Sequence, residues 1–221
     1  MMEQMKPMDI EKRSFAIITE LLGDRRLDPE NELVIKRVIH TTADFDYAKN
    51  LRFTPGAVQK AVEALHKGAF LVTDTNMALA GITKPGLAKL GGQAACYMAD
   101  PEVAARAKAE GTTRAVAAMH KAAAEHPGAI LAIGNAPTAL LTIAEQIEAG
   151  LRPALVIGVP VGVVNVVESK ERLFGTCEAH GVPAIVAMGR KGGSNVAAAI
   201  CNALIYSAAE MLDPTARGWN G

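Results

Sequence analysis

AILAIGNAPTALLTIAEQIEAGLRPALVIGVPV, residues 129 to 161, decides the fold. An apolar run, AILAIG, breaks at Gly134 and Asn135. A helical period, TALLTIAEQIEAG, follows and stops at Gly150, and a second apolar run, PALVIGVPV, comes next. Strand, helix, strand at this spacing is a βαβ unit, whose two strands are parallel and buried on both faces. The unit recurs on either side. AFLVTD and QAACYM precede it and PAIVAMG follows, separated by KPGLAKLGG, by two short helices through Ala124 and by ESKERLFGTCEAHG, with SNVAAAICNALIYSAAE closing the series. The pattern predicts a Rossmann-like parallel five-stranded sheet flanked by helices, an α/β fold. Right-handed crossovers then gather the loops at the carboxyl ends of the strands, where such sheets bind ligands.

The first fifty residues differ. They predict two helices, Asp9 to Leu22 and Pro29 to about His40, the second capped by Asp28 with Pro29 in its first turn. The whole chain, 1–221, is expected to form one domain: N-terminal helices over 1–50, an α/β core over 51–210 and a loose tail over 211–221. Lys plus Arg number 23, as do Asp plus Glu. No global field therefore gathers nucleic acid or anionic membrane, and an anionic ligand must be met by local cations. Cys96, Cys177 and Cys201 lie far apart without zinc-ligand spacing, as expected for reduced core residues. No apolar run approaches the roughly 20 residues that span a bilayer, and no signal peptide is evident, so a cytoplasmic protein is expected.

The loops carry the candidate chemistry. GRKGGSN, residues 189 to 195, places Arg190 and Lys191 in a glycine-rich turn before a helix; it reads either as an anion cradle or as a tight turn with two solvated cations. Its spacing is neither a P-loop nor a dinucleotide fingerprint. GNAPTAL puts Asn135 at a turn and Pro137 in a first helical turn, an ordinary capping arrangement. Arg114 reads as a surface residue of a helix, and Lys170 as a solvated lysine beside a first-turn Glu168. Asp74 and Asp44 lack a second carboxylate at acid/base spacing.

In VIHTTADFDY, residues 38 to 47, His40 ends a helix, where the dipole favours the imidazolium. That describes either an ordinary helix-end histidine or a general acid with a raised pKa. Arg37, one turn earlier, shares its face and could hold an anion beside it. No HxxxH or HExxH pair points to a metal site, and none is expected.

PMDIEKRSFAII, VIHTTADFDY, TDTNMALAGI, AIGNAPTAL, GVPVGVVNVVESKERL and GRKGGSNVAAAICNAL together resemble, in this order, the signature segments of the precorrin-8X methylmutase family, from about Pro7 to Ala208. The resemblance implies an isomerase of cobalamin biosynthesis that moves a methyl group from C11 to C12 of a precorrin-8 macrocycle, giving hydrogenobyrinate or its cobalt counterpart. It also implies a homodimer with the site at the subunit interface, and no separate cofactor, any cobalt belonging to the corrinoid substrate. His40 takes the position of the family's acid/base. Ser14, Arg37, Asp74, Arg114, Asn135, Arg190 and Lys191 take positions of substrate contacts. The chain departs from the pattern at Val163, where phenylalanine is frequent, and at Ala115, where serine is common. Two other classes stand beside this one: a non-catalytic tetrapyrrole carrier, and a phosphate- or nucleotide-using enzyme built on GRKGGSN.

Overall fold

The computed structural model describes residues 7–217. Chain order runs α1 (Pro7–Leu22), α2 (Glu32–Thr42), α3 (Tyr47–Asn50), β1 (Leu51–Phe53), α4 (Ala57–His66), β2 (Leu71–Thr73), α5 (Asn76–Gly81), α6 (Lys84–Lys89) and β3 (Ala94–Ala95). It continues with α7 (Pro101–Ala109), α8 (Arg114–Glu125), β4 (Ile130–Ile133), α9 (Pro137–Glu148), β5 (Leu155–Gly158), α10 (Val166–His180), β6 (Ala184–Ala187) and α11 (Ser194–Ala208).

The strands form one six-stranded sheet in the order β1-β6-β5-β4-β2-β3. All five expected strands are present and mutually parallel. The sixth, β1, corrects the expectation: it joins the edge antiparallel to β6, Leu51 opposite Ala187 and Phe53 opposite Ile185. A three-residue run with Arg52 at its centre carries too little periodicity to be read as a strand.

Period-two alternation divides the core. Leu71, Ile130, Ala132, Leu155, Ile157 and Ile185 face one side, packed with α2, α4 and α11. Val72, Leu131, Ile133, Val156, Ala184 and Val186 face the other, packed with α8, α9 and α10. Successive strand side chains point to opposite faces, so continuous apolar runs supply both layers at once.

Two local expectations are revised. Helix α2 begins at Glu32, not Pro29, because Asp28 spends its carboxylate on the Glu30 amide (3.1 Å) and the Asn31 side chain (2.7 Å), closing a turn ahead of the helix. The tail expected to be loose is anchored as far as Arg217. Met211 and Pro214 are buried, and Arg217 reaches Glu11 on α1 at 2.7 and 2.8 Å. Residues 218–221 lie outside the described part. Among the described residues no helix is long and apolar enough to cross a membrane.

Candidate functional site

Between β2 and β4 the chain reverses its direction of travel across the sheet, the switch point where open α/β sheets leave a crevice. Here that crevice is filled by the protein. Asp74, directly after β2 and almost fully buried, accepts the backbone N–H groups of Gly134, Asn135 and Ala136, each at 2.8 Å. These amides precede α9, and Ala136, its cap, has no side-chain oxygen to offer. Burial raises the Asp74 carboxyl while the three amides oppose the rise. Thr75 then contacts the Ser194 hydroxyl at 2.7 Å, and a Cβ on Gly134 would lie 2.7 Å from the Ser194 Cα. The loops after β2, β4 and β6 are thus packed together as one unit.

Around this unit sit the other loop candidates. Asn135 and Arg190 are exposed. Arg114 is exposed at the start of α8, whose cap Thr113 meets Thr138 of α9 at 3.3 Å. Lys191 is not a free cation as the cradle reading requires. Its ammonium is held by Asp44 at 2.6 Å and Asp46 at 2.7 Å. Those two carboxylates follow α2, so the clamp ties the carboxyl end of α2, and with it His40, to the loop after β6.

The second group of candidates meets at the α1–α2 corner. Ser14 and His40 line one groove of 290 Å³ with Ile17, Leu21, Ile39 and Phe45. Ser14 donates its hydroxyl proton to the Ile10 carbonyl at 2.8 Å, leaving its oxygen lone pairs free to accept. The imidazole stacks on Phe15 with centroids 5.3 Å apart. The same Phe15 ring carries the Arg37 guanidinium 4.7 Å from its centroid. Phe15, a contact not anticipated from sequence, therefore links the acid candidate to the cation candidate.

The expected rise in the His40 pKa is corrected. Burial, then the positive charge of Arg37, lowers it, with Arg217 adding and Glu11 opposing. In the free protein the ring is a neutral imidazole near pH 7.

Arg37 is also differently placed from the reading of an open anion holder. It is buried and donates to Glu11 at 2.9 Å, while Glu11 takes two further bonds from Arg217. Its Nε has no partner. Beside it, Glu11, Lys12, Phe15, Leu33 and Asp213 line a cavity of 420 Å³. Burial alone would raise the Glu11 carboxyl, but hydrogen bonds and charge from Arg217 and Arg37 outweigh it and hold it at about 2. The group is ionised in the fold well below its ordinary value of 4.5, so it contributes stability above pH 4.5 that is lost as pH falls toward 2. Expected, then, is a loss of up to roughly 3 kcal/mol across that window. Hydrogen exchange of α1 amides should accelerate there first, and a Glu11→Gln variant should show no such acid-specific step.

Lys170 contradicts its reading as a solvated lysine. It is completely buried, on the α10 stripe of Val166, Lys170, Leu173 and Cys177. That helical spacing was a usable sign of an inward-facing position. Among the described residues no three His, Cys, Asp or Glu side chains converge as metal ligands would.

Comparison with known proteins follows the same outline. The family model for precorrin-8X methylmutase matches residues 9–207. The cobalt-precorrin-8 methylmutase of Salmonella typhimurium is 46% identical over 207 residues, covering 91% of this chain and 95% of that protein. The enzyme of the same name from Priestia megaterium is 43% identical, with 90% and 87% covered. The crystal structure of precorrin-8X methyl mutase from Thermus thermophilus superposes with a TM-score of 0.82 at 42% identity, covering 91% of this chain and 98% of that one.

Proposed function

The chain belongs to the precorrin-8X methylmutase family, and from that premise we propose that His40 is the acid/base of its methyl shift, acting in a groove shared with Ser14. The enzyme is an isomerase of cobalamin biosynthesis that moves a methyl group from C11 to C12 of the precorrin-8 macrocycle. The observation that carries the assignment of His40 is its place: a half-exposed imidazole lining the same apolar groove as the Ser14 hydroxyl, at the end of α2.

The reaction changes no oxidation state and releases nothing. Protonation of the conjugated ring system draws electron density toward the site of migration, the methyl group moves to the neighbouring carbon, and the same proton returns to His40. No separate cofactor takes part, and cobalt, where present, travels within the substrate. A flat ring edged with carboxylates calls for apolar walls and cations at the rim. Phe15, Ile17, Leu21 and Phe45 offer the walls. Arg114, at the start of α8, and Arg190 are exposed cations, and Asn135 offers an exposed amide. Arg37 meets a substrate carboxylate by exchanging its single bond to Glu11, which Arg217 keeps neutralised through two bonds of its own. Asp74 and Lys191 act by holding the loops in place.

The protein works as a cytoplasmic homodimer, with the groove completed by a second copy. Support comes from the outer face of α1, where Ile10 (52%), Ile17 (38%) and Leu21 (64%) are exposed along the same helix that lines the groove. A carrier without catalytic power would have no use for an imidazole and a hydroxyl in one groove. Adding precorrin-8 to the protein and recording the absorption spectrum separates the two: conversion of the chromophore supports the isomerase, and unchanged bound substrate the carrier.

A pH profile probes the acid itself. In the free enzyme the lowered His40 pKa puts the fall of kcat/KM, as pH rises, below the usual histidine value. Bound carboxylates favour the imidazolium, so the same fall in kcat should lie at higher pH. A kcat/KM profile without this descending limb, or one unchanged in His40→Ala, would remove His40 from the proton transfer.

A further inference from the structure

Lys170 is a buried charge for which the steps above have no use. Its ammonium donates to the carbonyls of Gly189 at 2.8 Å and Lys191 at 2.9 Å. No carboxylate pairs with it among the described residues. Burial alone pushes its pKa down to about 8. The charged groups of the packed elements all turn elsewhere: Lys191 to Asp44 and Asp46, Glu145 and Glu148 of α9 to Arg172, while Glu168, Glu171 and Arg190 are exposed.

Four carbonyls of the 189–193 loop above it accept hydrogen bonds. Gly189 and Lys191 accept from Lys170, Arg190 accepts from the Gly162 amide at 3.2 Å, and Gly193 accepts from Ala197 at 3.0 Å. A Cβ on Gly192 would come within 2.1 Å of the Val159 carbonyl oxygen, so the loop is seated against the end of β5. Facing outward is the Arg190 side chain, which is exposed. Two carbonyls can be satisfied by a neutral donor, so hydrogen bonding alone does not require a cation here. A cation in this place puts positive potential under the outward side of the loop.

We infer that Lys170 is a positioning residue for the macrocycle: it holds the Gly189 and Lys191 carbonyls inward and supplies a fixed positive charge beneath the 189–193 loop, so that the outer side accepts one substrate carboxylate beside Arg190. The role presupposes that this loop receives a carboxylate.

Titration of the corrinoid product hydrogenobyrinate into wild-type protein and into Lys170→Gln, Lys170→Met and Arg190→Ala variants, at pH 7 and pH 9, tests it. A deprotonated lysine keeps two N–H donors for the same two carbonyls but loses its charge, so pH separates charge from geometry. Expected is a wild-type Kd at least about five-fold weaker at pH 9, and a Lys170→Gln Kd about ten-fold weaker at pH 7 that does not change with pH. Lys170→Gln binding like wild type at pH 7, or a wild-type Kd equal at both pH values, would overturn the role of the charge. Should the variants fail to fold, the wild-type pH comparison decides alone. If Arg190→Ala also leaves Kd unchanged, the loop receives no carboxylate; if Arg190→Ala weakens binding while the Lys170 variants do not, only the inference about Lys170 fails.

Discussion

His40→Ala will lower kcat by about 10²- to 10⁴-fold while the Kd for the corrinoid product stays within about three-fold, the range that a positioned general acid contributes. In free energy this is about 3–5 kcal/mol of the barrier. The separation of the two effects follows from the position of the ring. His40 is exposed at the end of α2, and its contacts are a stacking partner and a groove wall, so alanine removes the proton donor without opening the core. Arg37 stays in place through Glu11, and the loops after β4 and β6 are untouched. His40→Asn, which keeps a polar side chain but cannot carry the proton, should be as slow as alanine. Turnover close to wild type in either variant would sink the assignment.

Asp74→Ala will have the largest effect on stability, about 3–5 kcal/mol, because three amides, two of them fully buried, lose their acceptor together. For a chain of this size that corresponds to a fall in Tm of roughly 10 °C. Alanine leaves the N–H groups of Gly134, Asn135 and Ala136 without the oxygens they meet at 2.8 Å, and no side chain caps α9 in their place. Asp74→Asn should recover only part of the loss, since its amide turns an N–H toward an N–H. Thermal unfolding measures both. Because burial has raised the Asp74 carboxyl in the folded state, its ionisation weighs against the fold as pH rises through that value. Glu11, whose pKa is shifted the other way, contributes to loss of stability in acid, as do Asp44, Asp100 and Asp213, which are also lowered. A Tm unchanged by Asp74→Ala would mean that these amides find water as readily as they find the carboxylate.

Much of the architecture was legible because it is written in local periods. The alternation Ile130, Leu131, Ala132, Ile133 announces a strand buried on both sides, and it needs no distant residue to be read. What could not be read depends on contacts remote in sequence. Asp74 looks like a lone carboxylate until β2 and β4 become neighbours and put the amides 60 residues onward within reach. Lys191 looks like a cation ready for a ligand until α2 folds back and delivers Asp44 and Asp46 from more than 140 residues away. Arg37 and His40 were correctly placed on one helix face, but the surroundings that lower the His40 pKa come from α1 and the tail as well. The dipole argument considered α2 in isolation, and burial with two arginines outweighed it.

The sheet ends at β1, three residues long and carrying Arg52, on one side, and at β3, two residues long, on the other. Edges this short offer an incoming chain almost no ladder to extend. Sheet continuation between copies is therefore disfavoured, and the second copy proposed above would meet the exposed face of α1 instead. The same brevity guards the folded molecule against strand-to-strand aggregation at its edges.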